Sequence, residues 1–416
     1  MDDDHATATT GRRDWRAVNI HEIRKLVRVK PPGLGGPRRR LARCHDIGDL
    51  RHSARKVIPQ PVFDYVDGGA DEELSLAANT EAFRRWRFVP RALADVTAVD
   101  TTGQVLGTVA PLPLVLAPTG FTRMMHPDGE IAAARSATRH GLPYTLSTMA
   151  TTSIADLAAA VQGDLWFQLY IMADGGLTTE LVDRAAACGY RVLVVAVDTV
   201  VAGRRVRDVR NGLTIPPELS VRALASIGSR PAYWLRMLRS PAMEFANLAI
   251  REPMTIADTA GFFHPGITWD DIAALRERWA GQLVIKGPLG AADARRAIET
   301  GADGVQLSNH GGRQLDRAVA PIDLLPTVRD AVGPDPAVLV DSGVRHGADI
   351  ATAVALGADA AAIGRAYLYG LMTAGEQGVD KALDLLAAQY RRTLQLLGVT
   401  SAAELRKHSP ELLLRS

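Results

Sequence analysis

The chain has 416 residues, 47% of them hydrophobic, enough for one large α/β domain with additions or for two domains. Its 48 basic and 46 acidic side chains leave a net charge of +2, so no bulk field points to nucleic acid. Two cysteines, Cys44 and Cys188, make neither a disulfide framework nor a metal cluster, which suits a reducing cytoplasm.

No apolar run approaches ~18 residues, so no transmembrane helix is expected, and the polar N-terminus lacks a signal peptide's apolar stretch. Residues 1–45 read as a basic, poorly patterned arm. Between Gly11 and Arg43 lie eleven lysines and arginines and two acids, Asp14 and Glu22. The run Pro31-Pro32-Gly33-Leu34-Gly35-Gly36-Pro37 breaks any helix there, and it is no nucleotide fingerprint, because no strand precedes it. A flexible or subunit-covering arm is one reading; attraction to an anionic membrane surface is the other. Residues 46–110 read as a helical segment packed on the main domain. Asp46 suits a first helix cap, and Pro59-Gln60-Pro61 starts a second helix that ends at Gly68-Gly69.

From about residue 111 to 375, short apolar runs alternate with helical stretches. The expected strands are Leu114–Ala117, Tyr144–Ser147, Leu165–Tyr170, Val192–Asp198, Leu283–Lys286, Gly304–Ser308, Val338–Asp341 and Ala360–Gly364. Gly129–His140, Ile154–Val161 and Ala291–Thr300 are among the helical stretches between them. Eight such units predict an α/β fold of the (β/α)8 TIM-barrel type. A doubly wound sheet is the competitor, but no Gly-rich turn follows the first strand, and polar residues sit at many strand ends rather than at one switch point. The rhythm breaks once, in an excursion of about 203–268 between strand four and helix four, which suits a lid, a subunit contact or a membrane contact. Residues 376–416 read as C-terminal helices.

Chemistry in a barrel sits at the carboxyl ends of the strands. Those ends carry Ala117-Pro118-Thr119-Gly120, Ser147, Gln168 with Tyr170, Asp198 with Arg205, Lys286, His310 with Arg313, Asp341 with Gly343 and Arg345, and Gly364 with Arg365. So many polar ends in one circle are hard to explain as packing, since a buried unpaired polar group costs roughly 1–3 kcal/mol. The turn Ser308-Asn309-His310-Gly311-Gly312-Arg313-Gln314-Leu315-Asp316 is the focus. Such a turn can simply cap a strand. It also places an imidazole that accepts a proton near neutral pH beside a guanidinium able to hold a carboxylate through two parallel hydrogen bonds. That pairing suits acids whose reacting carbon lies next to the carboxylate. Gly343, Arg345, Gly364 and Arg365 suit a phosphate, and Lys286, Gln168, Ser147 and Thr119 suit a polar heterocycle; together they point to flavin mononucleotide, FMN.

The chain resembles the FMN-dependent α-hydroxy acid dehydrogenases and oxidases from about Ile47 to Val399, nearest to the bacterial L-lactate dehydrogenases. The nine-residue turn is the most specific match. Phe63-Asp64-Tyr65, Ala117-Pro118-Thr119-Gly120, Gln168-Leu169-Tyr170, Ile285-Lys286-Gly287 and Ile363-Gly364-Arg365 occur in the expected order. The resemblance implies that His310 is the base, that Asp198 stabilises its protonated form, and that Tyr170 bonds the substrate oxygen. It implies that Arg313 and Tyr65 bind the substrate carboxylate, with Arg205 as a second positive charge. Ala117, Pro118, Thr119, Ser147 and Gln168 would contact the flavin ring or ribityl, with Lys286 at the ring's N1–C2 edge. Asp341, Gly343, Arg345, Gly364 and Arg365 would hold ribityl and phosphate.

The implied reaction is oxidation of an L-2-hydroxy acid, L-lactate first, with electrons passed to a quinone or cytochrome. An oxidase making hydrogen peroxide is the alternative, and other FMN-barrel chemistry a more distant one. Departures from the family pattern bear on the pocket. Ala196 stands where many members have Thr, Met149 where glycolate-oxidising members have Trp, and Ala202 where they have Leu. Gly120 stands where several oxidases carry Ala, which favours a dehydrogenase. The resemblance also implies a homotetramer. A cytoplasmic location is expected, with peripheral contact at the inner face of the cell membrane left open.

Overall fold

The computed structural model describes residues 36–212, 228–241, 243–248 and 264–416. Most of the basic arm and much of the excursion therefore lie outside the described residues. Eight parallel strands close into a barrel, as expected: β1 Leu114–Leu116, β2 Tyr144–Ser147, β3 Leu165–Leu169, β4 Val192–Ala196, β5 Gln282–Gly287, β6 Gly304–Leu307, β7 Ala337–Val340 and β8 Ala360–Ile363. Each strand pairs with its sequence neighbour, and β8 pairs with β1 through Ala361 and Leu114 to close the ring. The strands are largely apolar because both faces are covered, inward by the barrel core and outward by helices, and the polar residues Ser147, Gln168, Lys286 and Gln306 lie toward their carboxyl ends. The observed strands stop one or two residues short of most expected ends; those residues carry the polar groups and have already turned into the mouth.

The first expected helix spans Ile47–Val57, and the Asp46 carboxylate accepts the Asp49 N–H at 2.7 Å. The second spans Gln60–Asp67 with Pro61 in its first turn, where a missing N–H costs nothing. A third, Leu74–Arg84, comes after it. Two pairings escaped the sequence reading. A hairpin of Gly103–Val105 and Thr108–Ala110 lies at the amino end of the barrel, where Arg191, just ahead of β4, donates to the Leu106 carbonyl at 2.7 Å. Leu413–Arg415 pairs antiparallel with Trp86–Phe88. Three-residue strands are too short to show a period. After β8, helix Arg365–Ala374 begins at the cavity. The 22-residue helix Glu376–Leu397 then packs on Gly129–Arg139 and Gly347–Ala355 in the outer ring.

Candidate active site

A cavity of about 410 Å³ opens at the carboxyl ends of the strands. Every residue expected to act as base, substrate ligand or cofactor ligand lines it except Asp198, whose side chain is buried behind the wall; Ala196, named for its departure from the family pattern, does not line it.

The turn after β6 is wound left-handed at three successive residues, with φ of 57° at His310, 67° at Gly311 and 72° at Gly312. Glycine adopts this readily; a histidine there is held by its surroundings. Ser308 Oγ accepts the His310 N–H at 3.0 Å, and Ser342 Oγ accepts the Gly311 N–H at 3.0 Å. Asn309 and Asn79 exchange amide hydrogen bonds at 2.7 and 2.8 Å, tying the turn to helix Leu74–Arg84. Asp316 accepts backbone N–H groups of Glu72, Leu74 and Ser75. Gln314 donates to the carbonyls of Asp198 and Val201. The nine-residue signature is thus mostly scaffold, and it leaves His310 and Arg313 for the cavity.

His310 Nδ1 lies 3.0 and 3.1 Å from the two Asp198 oxygens, and Nε2 lies 3.5 Å from the Tyr170 hydroxyl. Lys286 Nζ sits 3.5 Å from Asp198 Oδ2. Burial pushes the Asp198 carboxyl pKa up, but Lys286 and His310 outweigh it and the net shift is downward, so Asp198 remains an anion. Burial lowers the His310 pKa, and Asp198 offsets only part of this while Lys286 and Arg313 add to it. The imidazole is therefore neutral at pH 7 and free to accept a proton. Burial lifts the Tyr170 hydroxyl to about 12, with Asp198 adding to the shift, so it stays a donor.

Arg313 donates from Nη1 to the carbonyls of Tyr65 and Gly68. Its guanidinium lies 5.0 Å from the Tyr65 ring centre, and that of Arg205 lies 5.5 Å from it. Arg205 is anchored to Asp208 at 3.0 Å. Arg365, expected to help hold the ribityl and phosphate, lines the cavity and is also bonded on its protein side. It donates to the carbonyls of Val66, Gly311 and Gly68, each at 2.8 Å. It joins the helix that carries Tyr65 to the turn that carries His310, and it brings its charge to the cavity wall.

The rest of the cavity fits a phosphate-bearing ring. Gln168 accepts the Ser147 hydroxyl at 2.9 Å, yet its buried Nε2 has no partner among the described residues. A ring carbonyl or ring nitrogen would meet that donor. Helix Arg365–Ala374 starts at Gly364 without a side-chain cap, and such an end attracts a phosphate. Burial pushes the Arg365 pKa down to about 9, with Arg313 and Arg345 adding to the fall and Tyr369 opposing it. Such a concentration of positive charge calls for an anion. Gly343 has φ +120°, and a Cβ there would lie 2.3 Å from the Asn79 carbonyl, so only glycine lets this loop pass. Thr119 bonds the Tyr367 hydroxyl at 2.6 Å, and Asp341 accepts from Gln306 at 2.7 Å; both are fixed from behind.

Several residues that shape the site gave no sequence signal. Glu130, fully buried, accepts from Thr122, Thr151 and Thr152 and so braces the loops after β1 and β2. Asp67, held down to about 2 because Arg51 and Tyr369 overcome the upward pull of burial, anchors the helix carrying Tyr65. Phe121, Met124 and Phe245 line the cavity's apolar side.

Comparison with known proteins agrees with this geometry. Residues 54–411 match the FMN-dependent dehydrogenase family. A putative L-lactate dehydrogenase of Mycobacterium tuberculosis is 46% identical over 94% of each chain. The (S)-mandelate dehydrogenase of Pseudomonas putida is 40% identical over 85% of this chain and 90% of its own. Among solved structures, a monotopic membrane protein (S)-mandelate dehydrogenase superposes with a TM-score of 0.84 at 38% identity, covering 90% of this chain and all of that one. The chain belongs to the FMN-dependent dehydrogenase family and is an FMN-dependent 2-hydroxy acid dehydrogenase.

Proposed function

We propose that the chain oxidises L-2-hydroxy acids, L-lactate among them, to 2-oxo acids and hands the electrons to a quinone or cytochrome. The observation that carries this reading is the His310 ring, fixed by Asp198 at Nδ1 and presenting Nε2 toward Tyr170 beside the Arg313 guanidinium. FMN supplies the two-electron acceptor. Arg313 and Tyr65 bind the substrate carboxylate, and Arg205 adds positive charge to that end. Tyr170 donates to the substrate oxygen. His310 Nε2 takes a substrate proton, and the Asp198 carboxylate stabilises the imidazolium that results. Lys286 keeps Asp198 ionised and adds a positive charge at the cofactor's end of the cavity. Ala117, Pro118, Thr119, Ser147 and Gln168 hold the ring and ribityl, while Asp341, Gly343, Arg345, Gly364 and Arg365 form the ribityl and phosphate end. Anaerobic mixing of the yellow protein with L-lactate tests the reading. Bleaching of the flavin's visible absorption is expected; a spectrum left unchanged by every L-2-hydroxy acid would overturn it.

The acceptor reading rests on Gly120 and on the surface beside the mouth. A Cβ on Gly120 would meet Met149 Cβ at 3.1 Å, so an alanine there crowds the loop after β2. Helix Pro231–Met237 is tied to the loop after β1 by the Tyr233 hydroxyl, which donates to the Met124 carbonyl at 2.7 Å. Leu235 and Leu238 on this segment are 56% and 80% exposed, next to Arg236 and Arg239. An apolar patch edged by arginines suits contact with an anionic membrane surface, where quinones reside. Peroxide yield under air, set against turnover with a soluble quinone analogue without oxygen, separates the two acceptors. Faster turnover with oxygen would overturn the quinone or cytochrome reading and make oxygen the acceptor.

A further inference from the structure

The excursion returns to the cavity at one described place, residues 243–248, and the manner of its return is specific. Asn247 is buried; it accepts the Ile154 N–H at 2.8 Å and donates to the Ser147 carbonyl at 3.3 Å. The Ala246 N–H donates to the Ala150 carbonyl at 3.2 Å. These hydrogen bonds pin the short segment onto the loop after β2, about one hundred residues earlier in the chain. What they present is Phe245, 1% exposed and part of the cavity lining.

Phe245 meets Phe121 edge to face, with ring centres 4.3 Å apart, and Phe121 meets Tyr65 edge to face at 6.4 Å. Phe121 holds φ at 54°, a conformation that a bulky residue rarely adopts, and its N–H donates to the Met149 carbonyl at 3.0 Å. A strained backbone and a pinned loop therefore converge on one aromatic wall. Tyr65, whose ring lies 5.0 Å from the Arg313 guanidinium, is the first ring of this wall, Phe121 the second and Phe245 the third. Met124 and Met149 complete it, and thioether side chains adapt to aromatic faces.

We propose that Phe245 is a specificity-determining residue: with Phe121 it forms the receiving wall for the substrate side chain, so that L-2-hydroxy acids with a bulky apolar side chain, aryl above all, are preferred to L-lactate. This rests on the 2-hydroxy acid reading of the site and narrows it. The wall is apolar and preformed, so an added apolar group gains burial and ring contacts at little ordering cost. A methyl group leaves the wall unfilled.

The test compares FMN-loaded wild type with F245A and, as the conservative variant, F245L. The first measurement is kcat/KM for L-lactate, L-2-hydroxy-4-methylpentanoate and (S)-mandelate with a soluble quinone analogue. The second, free of turnover, is the perturbation of the bound flavin spectrum by phenylacetate and by propionate. In wild type the aryl acid should exceed lactate by about tenfold or more, the scale set by a few methylene equivalents in an apolar pocket. F245A should reduce that ratio by about tenfold, with F245L intermediate, and phenylacetate should lose its advantage over propionate in step. A wild type that prefers lactate and binds phenylacetate no better than propionate would overturn the proposal. So would variants that lose both acids equally, which would make Phe245 a structural residue. Failure of the 2-hydroxy acid reading looks different: phenylacetate would still bind better than propionate and still respond to F245A, while no hydroxy acid reduced the flavin.

Discussion

Around His310 nearly every polar atom is bonded to another atom of the turn or its neighbours, whereas around Phe121 and Phe245 a few backbone bonds hold rings that meet through edges and faces. The polar wall tolerates little, because its hydrogen bonds are interlocked and mostly at least part-buried, where a lost partner costs roughly 1–3 kcal/mol. The apolar wall is set by shape, where substitutions of similar volume usually cost less than ~1.5 kcal/mol. Chemistry is thus fixed at one wall and substrate size at the other, and a substitution in either should report on that wall alone.

The sharpest break of this contrast is at His310. H310Q keeps polarity and size but cannot carry the proton, so flavin reduction by a 2-hydroxy acid should slow by ~10²–10⁴-fold while the protein stays folded and yellow. Stopped-flow absorbance measures it, and a wild-type rate would remove His310 from the mechanism. D198N comes next. It leaves a neutral group beside Nδ1 and strips Lys286 of its counter-charge, so flavin reduction should fall by about 10²-fold, with substrate binding much less affected. R313K retains charge but not the planar fork. Losing one charge-assisted bond, worth about 1.5–3 kcal/mol, should lower kcat/KM by ~10–100-fold, mostly through KM, in steady-state assays. If all three variants changed the ratio between bulky and small acids as strongly as F245A does, the two walls would not be independent.

The polar wall was legible in the sequence because its residues sit at fixed offsets from strand ends. Once Gly304–Leu307 reads as a strand, His310 and Arg313 must stand at its mouth, and the barrel brings Asp198 and Lys286 to the same ring. The apolar wall was legible only at Tyr65 and Met149. Phe245 reaches it through Asn247 and Ala246, whose partners lie about a hundred residues away, and no local period encodes such a contact. Glu130 was hidden for the same reason: a glutamate in the first turn of a helix reads as a surface acid until three threonines from other loops are found around it. Arg365 was found as a cavity residue, but its three carbonyl partners depend on where the Tyr65 helix ends, a tertiary fact.

The smallest effect concerns pH, and its sign comes from the surroundings of His310. Burial disfavours the imidazolium, Lys286 and Arg313 disfavour it further, and Asp198 favours it; the balance lies below the ordinary value of about 6.5. The free enzyme acts through neutral His310, so kcat/KM should be flat near neutrality and fall on the acid side, with the midpoint below about 6.5. D198N removes the carboxylate that raises the pKa, so its acid midpoint should move lower still, even though its rate is poorer. R313K leaves a charge in place and should leave the midpoint nearly where it was. A midpoint above the ordinary value in wild type, or one that rises in D198N, would mean that the group titrating on the acid side is not the ring that Asp198 holds.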